Sequence, residues 1–384
     1  MSRGYGRVFT LKSGTLAVAE RLESMFSETS NLPQNLLDID TIYLEPTVEN
    51  YARGKEILAQ FPEARRIEVP SHWQILGLNG NEGNASDWLK IKRNILVLGV
   101  RKAMKMDANG RSSDFIAPST ASGCAMACAY CYVPRRKGFA NPITTFVNIE
   151  QIAGYIARHA NKQGFKMTPT APDDDSWIYE IGCNSDVSVD AAVCDNTRDL
   201  IEMFRTVPNS KATFATKWVN RDLLNLDPQG KTRIRFSLMP HDMARLVDVR
   251  TSPIRERIAA INNFVEAGYE VNVNFSPVIV KEGFLDDYDA LFEEVNDSLS
   301  PAAKAQMKAE IIFLTHHRGL HEVNLQWHPK AEEVLWTPDS QENKTSQMGG
   351  SNVRYKVSLK QPLVKQFCER MQAKMPYCGV RYAF

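Results

Sequence analysis

From Ile42 onward, short β-branched or aromatic runs alternate with amphipathic stretches of helical period, a pattern that restricts the chain to parallel β/α units. The strand candidates are TIYLEP (41–46), NILVLGV (94–100), WIYEIG (177–182), KATFATK (211–217), RIRFSL (233–238), EVNVNFSPVIV (270–280) and EIIFLTH (310–316). Helix signals follow most of them: about 190–206, from Thr251-Ser252-Pro253 with Pro just inside the helix, from near Asp286, and Lys360 to Met375 before a closing strand near VRYAF. The polar segments TPTAPDDDS (168–176) and TPDSQENKTSQMGGSN (337–352) read as loops. The expected fold is α/β, a parallel sheet curled into a full or partial TIM-like barrel, with chemistry at the C-terminal strand ends. Residues 1–39 read as a polar, partly helical extension, and residues 40–384 as the barrel domain with its C-terminal elements.

Of 384 residues, 43% are hydrophobic and 24% charged, a globular balance that rules out disorder as the main state. No stretch approaches the roughly 18 to 20 apolar residues of a membrane helix. The N-terminus lacks an apolar run followed by a small-residue cleavage site, so a cytoplasmic protein with no membrane partner is expected. A net charge of +1 carries no polyanion signal, so any nucleic-acid partner would need a local basic groove. The cysteines number seven, few and odd, which points away from a disulfide scaffold and toward metal or thiol chemistry.

Three of those cysteines, Cys124, Cys128 and Cys131, stand in a C-x3-C-x2-C spacing within GCAMACAYCYVPRRKG. Three thiolates so close can hold three irons of a [4Fe-4S] cube and leave the fourth open for a substrate or cofactor. The competing reading is a structural zinc site, which wants four protein ligands; no local Cys or His completes the set, though a distant one could.

With the aromatic Tyr130 just before the third cysteine, this loop resembles that of radical S-adenosylmethionine (SAM) enzymes. The resemblance implies that the open iron chelates SAM, which one electron cleaves to methionine and a 5'-deoxyadenosyl radical. Within that superfamily the chain resembles the spore photoproduct lyase family from about Asp40 to its C-terminus, through IYLEP, LVLGVRK, GCAMACAYCYV, EIGCNSDVSVD, FATKW, KTRIRFSL, TSPIRERIAAINNFVEAGYEV and LTHHR. The family reverts a methylene-bridged thymine dimer in DNA to two thymines.

By this resemblance Cys183 is the hydrogen donor that quenches the product thymine radical, where a free cysteine is otherwise a small buried core residue. Tyr130 and Tyr132 lie by SAM and return the hydrogen so that SAM is regenerated; alone, such a pair would read as packing around the cluster. Lys217 contacts the SAM carboxylate, and Ser185 and Ser237 hydrogen-bond SAM; outside the motif each reads as a solvated or capping residue. Asn184, Asp186, Arg235 and His316-His317-Arg318 fall in matched segments, the histidines read by default as a hydrogen-bonded core edge. Cys194, on the helix after Cys183, Cys368 and Cys378 read as structural thiols. The implied partners are damaged DNA carrying a thymine lesion and an electron donor such as flavodoxin or ferredoxin.

Two departures motivate an alternative. The segment matching the family's basic, aromatic hairpin is rich in Ser, Asn and Gly, and TAPDDDS adds three consecutive acids. Arg135-Arg136-Lys137 could track a phosphate backbone or be a solvated face. The alternative is a radical SAM enzyme of the same architecture acting on a modified nucleotide, a peptide or a small metabolite. A third reading is a non-catalytic, metal-stabilised nucleic-acid-binding protein.

Overall fold

The run TRIRFSL (232–238) keeps the period-two alternation of a strand, apolar with polar, although every one of its residues is buried. The computed structural model describes residues 36–76, 78, 85–131, 133, 140–345 and 351–384; the expected extension lies outside the described residues as far as residue 35.

The chain runs β1 (Thr41–Leu44), α1 (Ala52–Gln60), β2 (Arg65–Glu68), α2 (Ala85–Asn94) and β3 (Ile95–Gly99). Four short strands follow, β4 (Asp107–Ala108), β5 (Phe115–Ile116), β6 (Ala121–Ser122) and β7 (Ile143–Phe146), then α3 (Ile149–Gln163). The middle alternates β8 (Trp177–Glu180), α4 (Val187–Val193), α5 (Asn196–Thr206), β9 (Ser210–Thr216), β10 (Thr232–Leu238), α6 (His241–Val247), α7 (Ile254–Glu266) and β11 (Glu270–Val278). The last part comprises α8 (Phe284–Ser298), α9 (Pro301–Gln306), β12 (Lys308–Phe313), β13 (Thr315–His317), α10 (Arg318–Trp327) and α11 (Pro329–Leu335). It closes with β14 (Gln341–Thr345), β15 (Ser351–Tyr355), α12 (Val357–Lys374) and β16 (Gly379–Ala383).

The main sheet has eight strands in the order β16-β12-β11-β10-β9-β8-β5-β4, parallel except for the β4–β5 pair. A second sheet, β2-β1-β3-β7-β6, is parallel except for β6. This is the expected α/β partial barrel. On β10 the two faces divide by chemistry. Ile234, Phe236 and Leu238 are buried, with Phe236 edge-on to Phe264 of α7 at 5.2 Å. Arg233, Arg235 and Ser237 occupy the alternate positions and are buried too. A polar and charged layer drawn from five strands lies there. Arg235 donates to Glu180 (2.7 Å) and Glu310 (2.9 Å), while Arg381 donates to Glu310 (2.9 Å) and Asn272 (2.6 Å). Among the described residues no helix is long and apolar enough to cross a membrane.

Four expectations need correction. The single strand at 310–316 is β12 and β13, which part after Phe313 into different sheets. The loop expected at 337–352 contains β14 and the start of β15, which pair antiparallel and join β13. Their polar side chains hid them: only Gln341, Val353 and Tyr355 of these ten residues are buried. The helix expected at 190–206 is two helices, and Cys194 is buried at the junction, where its φ of −166° ends α4. Pro253 stands at the N-cap of α7, just outside the helix.

Candidate functional site

The triplet loop connects β6 to β7, and the backbone of its stretch 123–131 is tied down at several points. Gly123 opens it at φ +86°, where a Cβ would meet the Pro142 carbonyl oxygen at 2.4 Å, so only glycine fits. Its N–H donates to the Asn184 carbonyl (2.9 Å), the residue next to Cys183. Ala127 and Ala129 donate to Val249 (3.0 Å) and Val247 (2.9 Å). Lys92 Nζ donates to the Cys124 carbonyl (2.7 Å), and Asn324 Nδ2 donates to that of Ala129 (2.6 Å). The Cys131 N–H turns back onto the Cys128 carbonyl (3.1 Å).

Cys124, Cys128 and Cys131 lie within electrostatic reach of one another. Burial pushes the Cys124 thiol up to about 12, aided by Asp186 and opposed by Lys92. Burial likewise holds the Cys128 thiol well above the usual range, with Asp248 adding to it and Lys217 opposing. Among the described residues no three His, Cys, Asp or Glu side chains are grouped so as to hold a metal ion as they stand. The donor set nonetheless fits an iron-sulfur cluster: three soft ligands on one pinned loop, their protons lost when metal binds.

Around this loop the strand ends bring most of the expected residues. Tyr130 is buried and its hydroxyl donates to Asp248. Asp248 also accepts from Arg257 (2.9 Å), which donates to the Ser237 carbonyl (2.8 Å). Burial first, then Asp248, holds the Tyr130 phenol well above its ordinary value. Lys217, just past β9, places Nζ 4.7 Å from the Tyr130 ring centroid, in cation–π range. Its backbone N–H donates to Asp186 (2.8 Å), a buried carboxylate that also caps α4 by accepting from Ser188 and Val189.

Cys183 follows β8 and is partly buried; burial and Glu180 raise its thiol, against a Ser119 hydrogen bond and Arg101. Ser185 donates to Asp190 (2.6 Å), a buried carboxyl pushed up to about 8 by burial, with Asp186 nearby. Ser237 is buried near the end of β10. Tyr132 and the run Arg135-Arg136-Lys137 lie outside the described residues. His316 is buried and bonded to Glu332 (3.0 Å), the core edge expected of it, and Arg235 belongs to the interior charge layer.

Sequence reasoning missed Asp248, Arg257, Asp190 and Asn324. Asp248 and Asn324 lie outside the matched segments and are revealed by partners 118 and 195 residues away; Arg257 and Asp190 stand inside matched segments, and their burial and their bonds to Asp248 and Ser185 set them apart.

A family model described as "Spore photoproduct lyase" matches residues 37–384. The spore photoproduct lyase of Bacillus subtilis (strain 168) is 29% identical over 283 residues, spanning 73% of this chain and 79% of that protein. That of Geobacillus sp. (strain Y412MC61) is 26% identical over 294 residues, 76% of this chain and 83% of that protein. A solved spore photoproduct lyase mutant with bound AdoMet and dinucleoside spore photoproduct shares the fold at TM-score 0.81 and 24% identity, over 91% of this chain and 100% of that one.

Proposed function

The chain belongs to the spore photoproduct lyase family, and from that premise we propose that it reverts a methylene-bridged thymine dimer in DNA to two thymines. The observation that carries this reading is the bond between Gly123 and the Asn184 carbonyl, which couples the cysteine loop to the segment of the hydrogen donor. Cys124, Cys128 and Cys131 would hold a [4Fe-4S] cluster with one iron open, and Lys217, Ser185 and Ser237 would hold SAM. When bound, these groups supply a 5'-deoxyadenosyl radical by one-electron cleavage of SAM.

The residues of the chain then have distinct tasks. Cys183 gives its S–H hydrogen to the product thymine radical and becomes a thiyl; an S–H bond is weaker than the C–H bond formed, so the transfer runs downhill. Tyr132, with Tyr130, would then pass a hydrogen atom to the Cys183 thiyl and be refilled from the methyl group of 5'-deoxyadenosine, which restores the thiol and allows the cofactor to re-form. Asp248 fixes the Tyr130 hydroxyl, and Arg257 holds Asp248. Asp190 orients the Ser185 hydroxyl. The partners are DNA carrying the lesion and a one-electron donor such as flavodoxin or ferredoxin. Redirection to another substrate is not favoured: the polar segment that motivated it does pair as β14 and β15.

An anaerobic assay with reconstituted protein, SAM, a reductant and a synthetic spore-photoproduct dinucleotide tests the reading. Recovered thymine with little net SAM loss is expected. Slow 5'-deoxyadenosine release without thymine would refute it.

A further inference from the structure

Three buried arginines have their charge answered inside the fold: Arg233 by Glu270 and Asp173, Arg235 by Glu180 and Glu310, and Arg257 by Asp248. Arg101 is built differently. It leaves the end of β3 with its backbone fixed, its N–H donating to Asn148 Oδ1 (2.9 Å) and its carbonyl accepting from Asn148 Nδ2 (3.0 Å). Its guanidinium lies 5.3 Å from the Phe146 ring centroid, its Nε is buried without a hydrogen-bond partner, and among the described residues no carboxylate pairs with it. Burial lowers its pKa, and the neighbour that opposes this is the Cys183 thiol. A partly buried guanidinium with no carboxylate to answer it is half of an ion pair, and it stands beside the expected hydrogen donor.

Arg101 also lines an open groove of about 660 Å³ between the end of β3 and α3, with Lys102, Arg158, Tyr155, Gln151 and Glu150. Three cations there face one carboxylate, in a chain whose overall net charge is only +1. Lys102 and Arg158 are exposed, and Tyr155 is partly so. Gly154 leaves room for the Arg158 guanidinium: a Cβ there would stand 3.3 Å from its Nη1. Such a combination of a basic track and an aromatic ring suits a nucleic-acid strand.

We propose that this groove is a phosphodiester subsite. Arg101 takes the phosphate that joins the two nucleosides of the lesion, and Lys102 and Arg158 take flanking phosphates of the same strand. The first part rests on the lyase reading; the anion site itself does not.

The test compares kcat/KM for a lesion dinucleoside, which has no phosphate, with that for the phosphate-bearing dinucleotide, using the full reconstituted chain. The dinucleotide should be preferred by the native protein, and Arg101→Gln should lower that preference on the order of tenfold or more, with Arg101→Lys keeping part of it. A ratio unchanged in Arg101→Gln would overturn the proposal, because damage to the fold or to Cys183 acts on both substrates alike. Independently of turnover, anisotropy of an undamaged single-stranded oligonucleotide should show salt-dependent binding whose slope falls by about one for Lys102→Gln and for Arg158→Gln. Equal binding by those variants at all salt concentrations would refute the track, and displacement by inorganic phosphate alone at equal concentration would mark a site for free anions. If no substrate yields thymine, the lyase reading fails while the oligonucleotide arm still decides the groove.

Discussion

Asp190 is a carboxyl buried at the base of the expected SAM site, and replacing it by Asn makes its ionisation visible as stability. Its folded-state pKa of about 8 lies far above the ordinary 3.8, because burial penalises the charged form and Asp186 adds repulsion. The sign follows from proton binding. Between the two values the folded chain binds more protons than the unfolded one, so stability falls as pH rises from about 4 to about 8 and is flat above that. At about 1.4 kcal/mol per unit, the native protein should lose on the order of 2 to 3 kcal/mol between pH 6 and pH 8 through this group. Asp190→Asn removes that slope while keeping an oxygen to accept from Ser185. Its amide nitrogen takes the place of Oδ1, which is buried without a partner, at a cost of about 1 to 3 kcal/mol. The variant should therefore be the less stable protein at pH 6 and should gain on the native one by pH 8.5. Urea unfolding at pH 6, 7, 8 and 8.5, with thiols kept reduced, measures this. A difference between the two proteins that does not change with pH would refute the buried, neutral carboxyl.

Other perturbations address the frame and the chemistry. Arg235→Leu leaves Glu180 and Glu310 without their shared cation and should cost about 3 to 5 kcal/mol, read as a lower urea midpoint; a loss under about 1 kcal/mol would mean the interior charges are well hydrated. Gly123→Ala forces a Cβ against the Pro142 carbonyl and should lower iron per chain after anaerobic reconstitution, with the native iron content as the contrary result. Cys183→Ala should still cleave SAM but consume it and yield wrongly quenched product, seen by chromatography; unchanged product and SAM turnover would remove Cys183 from the scheme.

What the sequence made legible was local. The β10 run RIRFSL is visible because Ile234, Phe236 and Leu238 alternate with polar residues, and the cysteine loop because its three ligands fall within eight residues. Lys217 and Cys183 could be placed at strand ends from the same alternation. β14 and β15 were invisible because an exposed, polar antiparallel pair has the composition of a loop. The split between β12 and β13 was hidden because Leu314 continues the apolar run while its N–H already bonds to Val278. Asp248, Arg257 and Asn324 gain their roles only from partners the fold delivers: Asn324 reaches Ala129 from 195 residues away. Arg101 is the same kind of case, since what distinguishes it from Arg235 is the lack of a carboxylate across the sheet.

The central claim, that Cys183 completes a thymine-dimer reversal beside the cysteine loop, is tested most directly by running the reaction in D2O. The Cys183 thiol exchanges with solvent, so the account expects one deuterium in the methyl group of the recovered thymine, and none at that position from Cys183→Ala. Recovered thymine without solvent deuterium, or with the same label from the variant, would contradict it.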